Sequence, residues 1–284
     1  MTTITTRLTK ALNLRLPIIS APMAFAGGGV LAAAVSQAGG LGLIGGGYGD
    51  PAWLNDQFQA AGEQRVGVGF ISWSLRKSPS VLTDVLKFRP AAVMLSFGDP
   101  RPFVDDVRSV GAKLICQCQD MDHVMDAVDA GADIIVAQGS EAGGHGALRG
   151  TFAFVPEVAD FLHEVSPNTL LVAAGGIADG RGLAAALMLG ADGVLVGTRF
   201  WASSEALEKN VSTEGPRYRQ AFSDGDAQNT GVWFGEAAGL IRKIESVAEI
   251  VDRMATDAAL LLKAGLAGCR NSGDPGPSGP GAAR

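Results

Sequence analysis

Three helical patterns in this chain close on the same dipeptide and turn at once into an aliphatic run: Gly111-Ala112-Lys113, Gly131-Ala132-Asp133 and Gly190-Ala191-Asp192. Glycine can end a helix in the left-handed conformation that a Cβ resists, and a small alanine after it permits a tight turn into a strand. A helix–Gly–Ala–strand junction that recurs marks a repeated βα unit. Strand runs are read at 18–23, 41–45, 66–71, 92–97, 113–118, 133–138, 170–174 and 193–198. Most are continuous aliphatic stretches rather than apolar/polar alternations, the pattern of parallel strands buried on both faces. Helical segments fall between them at 29–37, 52–61, 102–110, 121–130, 156–165 and 181–189. The pattern predicts the α/β class, and a (β/α)8 TIM barrel rather than an open doubly wound sheet.

The length of 284 residues suits one barrel of about 250 residues with an extension. We read residues 1–263 as the barrel domain, with a mostly helical part at about 203–263 that departs from the βα rhythm. From Ala264 onward the stretch Asn271-Ser-Gly-Asp-Pro-Gly-Pro-Ser-Gly-Pro-Gly281 cannot build a core, so 264–284 is expected to be a disordered tail. With 39 glycines and 6% aromatic residues, the composition suits many short βα turns. The net charge of −6 comes without a Lys/Arg cluster, which argues against nucleic acid or an anionic membrane as partner. No apolar segment reaches the roughly 18–20 residues that span a bilayer. The polar, Thr-rich start lacks the layout of a signal peptide, and three cysteines form no framework, so the cytoplasm is the expected location. Cys116 and Cys118 lack the second pair that a zinc site needs, and no metal is expected.

Barrel enzymes build their sites at the C-terminal ends of the strands. There the first strand offers Ala21, Pro22 and Met23, the fifth Gln117, and the sixth Gln138. The sixth then opens a glycine loop, Gly139-Ser-Glu-Ala-Gly-Gly144, that leads to His145. An imidazole among glycines has no bulky neighbour to block access, and near neutral pH it can serve as base, acid or hydrogen-bond donor. His123 and His163, on helices among charged neighbours, read as surface residues. Glu141 is open to two readings, a catalytic carboxylate or a residue that orders the loop. After the seventh strand come Ala174, Gly175 and Gly176, and after the eighth Gly197 and Thr198. Glycines allow backbone N–H groups to approach an anion, and two such loops on adjacent strands point to one phosphate, although each alone could be a mere tight turn. No Gly-x-Gly-x-x-Gly opens a βαβ unit near the start, which disfavours a nicotinamide dinucleotide site. One phosphate and an apolar mouth fit FMN better.

Together these residues carry a family resemblance. Pro17-Ile-Ile-Ser-Ala-Pro-Met23, Gln138-Gly-Ser-Glu-Ala-Gly-Gly-His145, Ala174-Gly-Gly-Ile177 with Asp179-Gly-Arg-Gly182, and Gly190-Ala-Asp-Gly193 through Gly197-Thr-Arg-Phe200 stand in the order seen in FMN-dependent barrels. The family they resemble is that of nitronate monooxygenase, also called 2-nitropropane dioxygenase-like. Gly225-Asp226, Gly231-Val-Trp233 and Gly239-Leu240 are similar to its C-terminal segment. The Glu-Ala-Gly-Gly-His element is shared with enoyl-acyl-carrier-protein reductases. The resemblance implies that Ala21, Pro22 and Met23 lie against the flavin ring and that Gln117 and Gln138 contact the ring or ribityl chain. It implies that Gly176, Gly197 and Thr198 hold the phosphate, in a site completed by Gly144, Ala174 and Gly175, and that His145 faces the substrate. Two positions depart from the family pattern: Gly69 stands where many relatives have Asn, and Gln117 where many have Lys. The activity implied is oxidation of alkyl nitronates, and of nitroalkanes, by O2 to a carbonyl compound and nitrite. An NAD(P)H-dependent reductase of quinones or enoyl thioesters, or a non-catalytic flavin-binding barrel, would use the same loops. A homodimer is compatible with all three.

Overall fold

A computed structural model describes residues 2–24, 26–144, 148–207 and 234–268. Eight parallel strands form one sheet: β1 (Ile18–Ser20), β2 (Leu43–Gly47), β3 (Gly67–Ile71), β4 (Ala92–Ser96), β5 (Lys113–Cys118), β6 (Ile134–Gln138), β7 (Leu170–Ala174) and β8 (Gly193–Val196). From β2 to β8 each pairs with its neighbour in sequence, and β8 pairs back onto β1. The remaining seam, between β1 and β2, is closed by a parallel bridge of Ile19 with Leu41 and by Ser20, whose buried hydroxyl accepts the Leu43 N–H at 2.9 Å. The eight-stranded order and its closure are those of a (β/α)8 barrel.

The helices follow the strands in alternation. After α1 (Arg7–Leu12) come α2 (Gly29–Gln37), α3 (Pro51–Ala61), α4 (Ser72–Leu75), α5 (Ser80–Leu86), α6 (Val104–Ser109), α7 (Met121–Asp129), α8 (Thr151–Val165), α9 (Gly180–Met188), α10 (Thr198–Trp201) and α11 (Val247–Gly268). Two apolar layers result from the two-residue period of the strands. Ile18, Ile44, Val68, Leu95, Cys116, Ile135, Leu171 and Val194 pack outward against the helices. Ile19, Leu43, Met94, Ile115, Val136, Val172 and Leu195 fill the barrel, and Leu8 and Leu12 of α1 join them. A Cβ on Gly193 would lie 2.4 Å from Leu8 Cδ2, so glycine at the start of β8 makes room for the helix that plugs this end.

The Gly-Ala junctions behave as their sequence predicts. Gly111, Gly131 and Gly190 hold φ of 74°, 78° and 97°, and the alanines after them are buried. The aspartates add a second device. Asp133 accepts the N–H of Leu114 at 2.9 Å, and Asp192 that of Leu171 at 3.0 Å, so two of the three repeats tie their turn to the preceding strand.

Several boundaries differ from the sequence pattern. The first strand stops at Ser20 rather than residue 23, because Pro22 has no N–H to continue a ladder and Met23 turns to bond Ala21 O at 2.9 Å. The eighth stops at Val196, and Thr198 already begins a helix. The helix expected from Pro156 starts at Thr151, which leaves Pro156 inside it. The short helices α1, α4 and α5 carry too little periodicity to be read. The last helix runs to Gly268, past the composition change at Ala264. Of the expected helical part, 208–233 lies outside the described residues, as does the tail from 269. Among the described residues no helix is long and apolar enough to cross a membrane.

Ser20→Ala should destabilise the fold by about 1–3 kcal/mol, because it strands the buried Leu43 N–H at the seam. A urea midpoint unchanged from wild type would contradict this role for Ser20.

Candidate functional site

The same alternation that fills the barrel decides what reaches its mouth. Ser96, Gln117, Gln138 and Ala174 continue the inward rows of β4 to β7 one step above Met94, Ile115, Val136 and Val172. The three polar members form a ladder. Ser96 donates to Gln117 Oε1 at 3.0 Å, Gln117 Nε2 donates to Gln138 Oε1, and Gln138 Nε2 reaches the Gly143 carbonyl at 3.5 Å. Gln119 adds a second donor to Gln138 Oε1 at 3.2 Å. Gln138 is only 3% exposed, so its amide depends on these partners. The amide orientations follow from the ladder, since each oxygen faces a donor. A cavity of about 210 Å³ lies between the ends of β4 and β5 and α7, where Cys116, Cys118, His123 and Asp126 line it together with Gln117 and Gln119.

On the other side of the mouth the loops after β7 and β8 come together. Gly175 and Gly176 hold φ of 115° and 72°, which L side chains rarely adopt. The N–H groups of Gly176, Gly197 and Thr198 have no acceptor among the described residues, because the first bond of α10 runs from Trp201 N to Gly197 O. Convergent backbone donors of this kind suit a phosphate or a similar anion. The loop after β8 adjoins the end of β1. A Cβ on Gly197 would sit 3.4 Å from Ala21 Cβ and 3.7 Å from Met23 Sδ. Met23 in turn folds back, its carbonyl accepting the Gly27 N–H at 2.7 Å.

Pro22 has a different neighbour. A Cβ on Gly69 would lie 2.3 Å from Pro22 Cγ, so Pro22 occupies the space a side chain at position 69 would need.

The loop after β6 is pinned by Glu141. Its carboxylate accepts the Thr151 N–H at 3.1 and 2.9 Å and the Thr151 hydroxyl at 2.8 Å, at the start of α8. Burial pushes its pKa up, but the bonds from Thr151 and Ser140 outweigh this and hold it below the ordinary glutamate value. Of the two readings of Glu141, the loop-ordering one has the contacts. Its backbone carbonyl accepts the Glu236 N–H at 2.9 Å, while Gly235 N–H reaches the Thr198 hydroxyl at 2.9 Å. One strap thus joins the loops after β6 and β8. Gly144 holds φ of 85°; His145, next to it, lies outside the described residues.

Sequence reading overlooked Ser96, Thr151 and Gly235. Ser96, a lone hydroxyl ending an aliphatic strand, is the one whose signal was present. Cys116 and Cys118 face the helix layer. Burial pushes the Cys116 thiol up to about 12 and raises Cys118 further from ionisation, which removes both as nucleophiles. Among the described residues no group of three His, Cys, Asp or Glu side chains could hold a metal.

Glu141→Gln should lower thermal stability at neutral pH. Because the folded pKa is depressed, the carboxylate stabilises above the unfolded value of about 4.3 and ceases to do so as pH falls through the folded value. The wild-type advantage in Tm should therefore shrink below that pH, and a gap constant down to strongly acidic pH would refute the assignment.

Known proteins are similar to this chain in sequence and in fold. A family model described as nitronate monooxygenase matches residues 77–216. A nitronate monooxygenase of Metarhizium robertsii is 41% identical over 242 residues, covering 75% of this chain and 65% of that protein, so the chain spans slightly less than two thirds of its length. A nitronate monooxygenase of Pseudomonas aeruginosa is 34% identical over 278 residues, covering 80% of this chain and 76% of that protein. Among solved structures, FabK from Thermotoga maritima superposes with a TM-score of 0.80 at 29% identity, covering 94% of this chain and 99% of that one.

Proposed function

This chain belongs to the nitronate monooxygenase family, a family of flavoenzymes, and we propose that it oxidises alkyl nitronates with O2 to a carbonyl compound and nitrite, with FMN as its cofactor. The observation that carries this reading is the set of backbone N–H groups at Gly176, Gly197 and Thr198, which have no acceptor among the described residues, with Gly197 beside Ala21 and Met23. This cradle provides donors for a single phosphate, and glycine leaves that approach open.

FMN supplies the electron-accepting ring that oxidation of a nitronate requires. The chain's own residues have separate tasks. Gly175, Gly176, Gly197 and Thr198 hold the phosphate, with Ala174 behind them. Ala21, Pro22 and Met23 give the ring an apolar wall, and Gln117 and Gln138 offer it neutral amide groups. Gly144 lets the loop turn without a side chain in the mouth. His145 holds the nitronate oxygens and, for a neutral nitroalkane, removes the α-proton at Nδ1 or Nε2. A nitronate already carries the electron density of a carbanion, so it needs no such proton transfer. The small substrate and the buried free thiols fit a cytoplasmic enzyme.

The likeness to FabK and the shared Glu141-to-His145 element favour a second reading, in which NAD(P)H reduces the flavin and a quinone or enoyl thioester is the acceptor. Anaerobic mixing separates the two. The purified yellow protein should bleach with an alkyl nitronate and stay coloured with NAD(P)H. Bleaching by NAD(P)H alone would replace the first reading with the second, and a colourless protein that takes up no flavin would remove both.

His145→Asn should impair turnover of nitroalkanes more than that of nitronates, by about 10²-fold or more for a lost general base. Equal losses in kcat/KM on both substrates would reduce His145 to an anion holder.

A further inference from the structure

The two halves of the cradle belong to different βα units, whose strands pair as far as Ala174 and Leu195 and no further. Behind them lies a buried charge cluster. Arg199, next to Thr198, has a side chain 4% exposed; its Nη2 donates to the carbonyls of Ala202 at 3.0 Å and Lys243 at 3.1 Å and stands 3.6 Å from Glu245 Oε2. Its Nε has no hydrogen-bond partner among the described residues. The Glu245 carboxylate, 6% exposed, receives both terminal nitrogens of Arg253 at 2.5 and 2.7 Å and Lys243 Nζ at 3.0 Å. Glu245 also accepts the Ser204 N–H on its backbone carbonyl at 3.0 Å.

Arg253 lies on α11, and α11 packs along α9, the helix that follows the Gly175–Gly176 loop. Their contact is close: a Cβ on Gly180 would meet Asp257 Cβ at 2.5 Å and Ala258 N at 2.6 Å. At the other end Glu205, shortly after α10, accepts the Val247 N–H that opens α11 at 3.0 Å. One helix is therefore held against the β7–α9 unit by packing and against the β8–α10 unit by charge.

We propose that Glu245, bridging Arg199 and Arg253, is a positioning residue that sets the spacing between the two halves of the anion cradle and so governs recognition of the flavin phosphate. The inference rests on the FMN reading. Glu245 touches no ligand; it acts through Arg199 on the Gly197–Thr198 backbone and through α11 on α9. Removing its charge leaves a buried guanidinium without its counter-charge, which drives local rearrangement rather than simple loss of a contact. A displaced backbone donor weakens only what it bonds, the phosphate.

The test compares FMN with riboflavin, which has the same ring and ribityl chain and lacks the phosphate. Apoprotein of the full chain is titrated with each flavin by fluorescence quenching, and the ratio of the two Kd values is read. Wild type should favour FMN. Glu245→Gln should cut that preference by at least about tenfold, the scale on which orienting partners act on a bound group, while riboflavin affinity is kept. Arg253→Met, at a side chain 42% exposed, should shift the ratio in the same direction and serves if the first variant fails to fold. A wild-type ratio in both variants, or an equal loss of both flavins, overturns the positioning role. A wild type that binds riboflavin as tightly as FMN instead overturns the phosphate reading, and this inference with it.

Discussion

Closing eight short parallel strands on themselves sends every second side chain into a space too narrow for water, and the rest of this molecule follows from that constraint. Lower in the barrel the inward rows must be aliphatic, since an unpaired polar group there would cost about 1–3 kcal/mol. Ile19, Leu43, Met94, Ile115, Val136, Val172 and Leu195 meet the requirement. Only the last inward position of a strand borders the mouth, and only there do Ser96, Gln117 and Gln138 occur, each satisfied by the next. The polar ladder is thus a boundary condition of the barrel as much as a feature of the site. The plug formed by Leu8 and Leu12 seals one end and leaves the other as the open one.

The anion cradle solves a different problem with backbone alone. A lysine or arginine could attract a phosphate, but its long side chain would have to cross the mouth that the ring must enter. Convergent N–H groups bring partial charge without bulk, and glycine is what permits the approach. The strap from Glu141 and Gly235 to Thr151 and Thr198 then limits how far the loops after β6 and β8 can drift. Glu141, Thr151 and Gly235 order this site without needing to touch a ligand.

The sequence made the strands legible because parallel burial leaves an unmistakable apolar run, and the Gly-Ala junctions located their starts. It made the glycine loops legible because strand order placed them side by side. Strand ends were read too long at β1 and β8, where hydrophobicity continues past the point at which Pro22 or the first turn of α10 breaks the ladder. The start of α8 was read late because Pro156 is a good first-turn residue, while the true start is set by Glu141 ten residues away in sequence. Contacts of this sort leave no local periodicity. The packing of Pro22 over Gly69 is of the same kind: nothing in the local pattern of either residue announces the contact.

The charge cluster behind the cradle is the least legible part and the least economical one. Arg199, Glu245 and Arg253 are scattered over 55 positions, and an apolar trio of the same volume would hold two helices together at least as well, because burying ions forfeits their hydration. The cluster does what an apolar contact cannot. Van der Waals contacts slide at little cost, whereas Arg253 grips Glu245 through two parallel N–H···O bonds whose geometry admits one register. Arg199 extends that register to the residue beside Thr198. Burial lowers the Arg199 pKa and Glu245 opposes this only in part, while the Arg253 hydrogen bonds pull the Glu245 carboxylate down to about 2. Glu245 therefore keeps its charge at neutral pH, and the grip of Arg253 on it persists there.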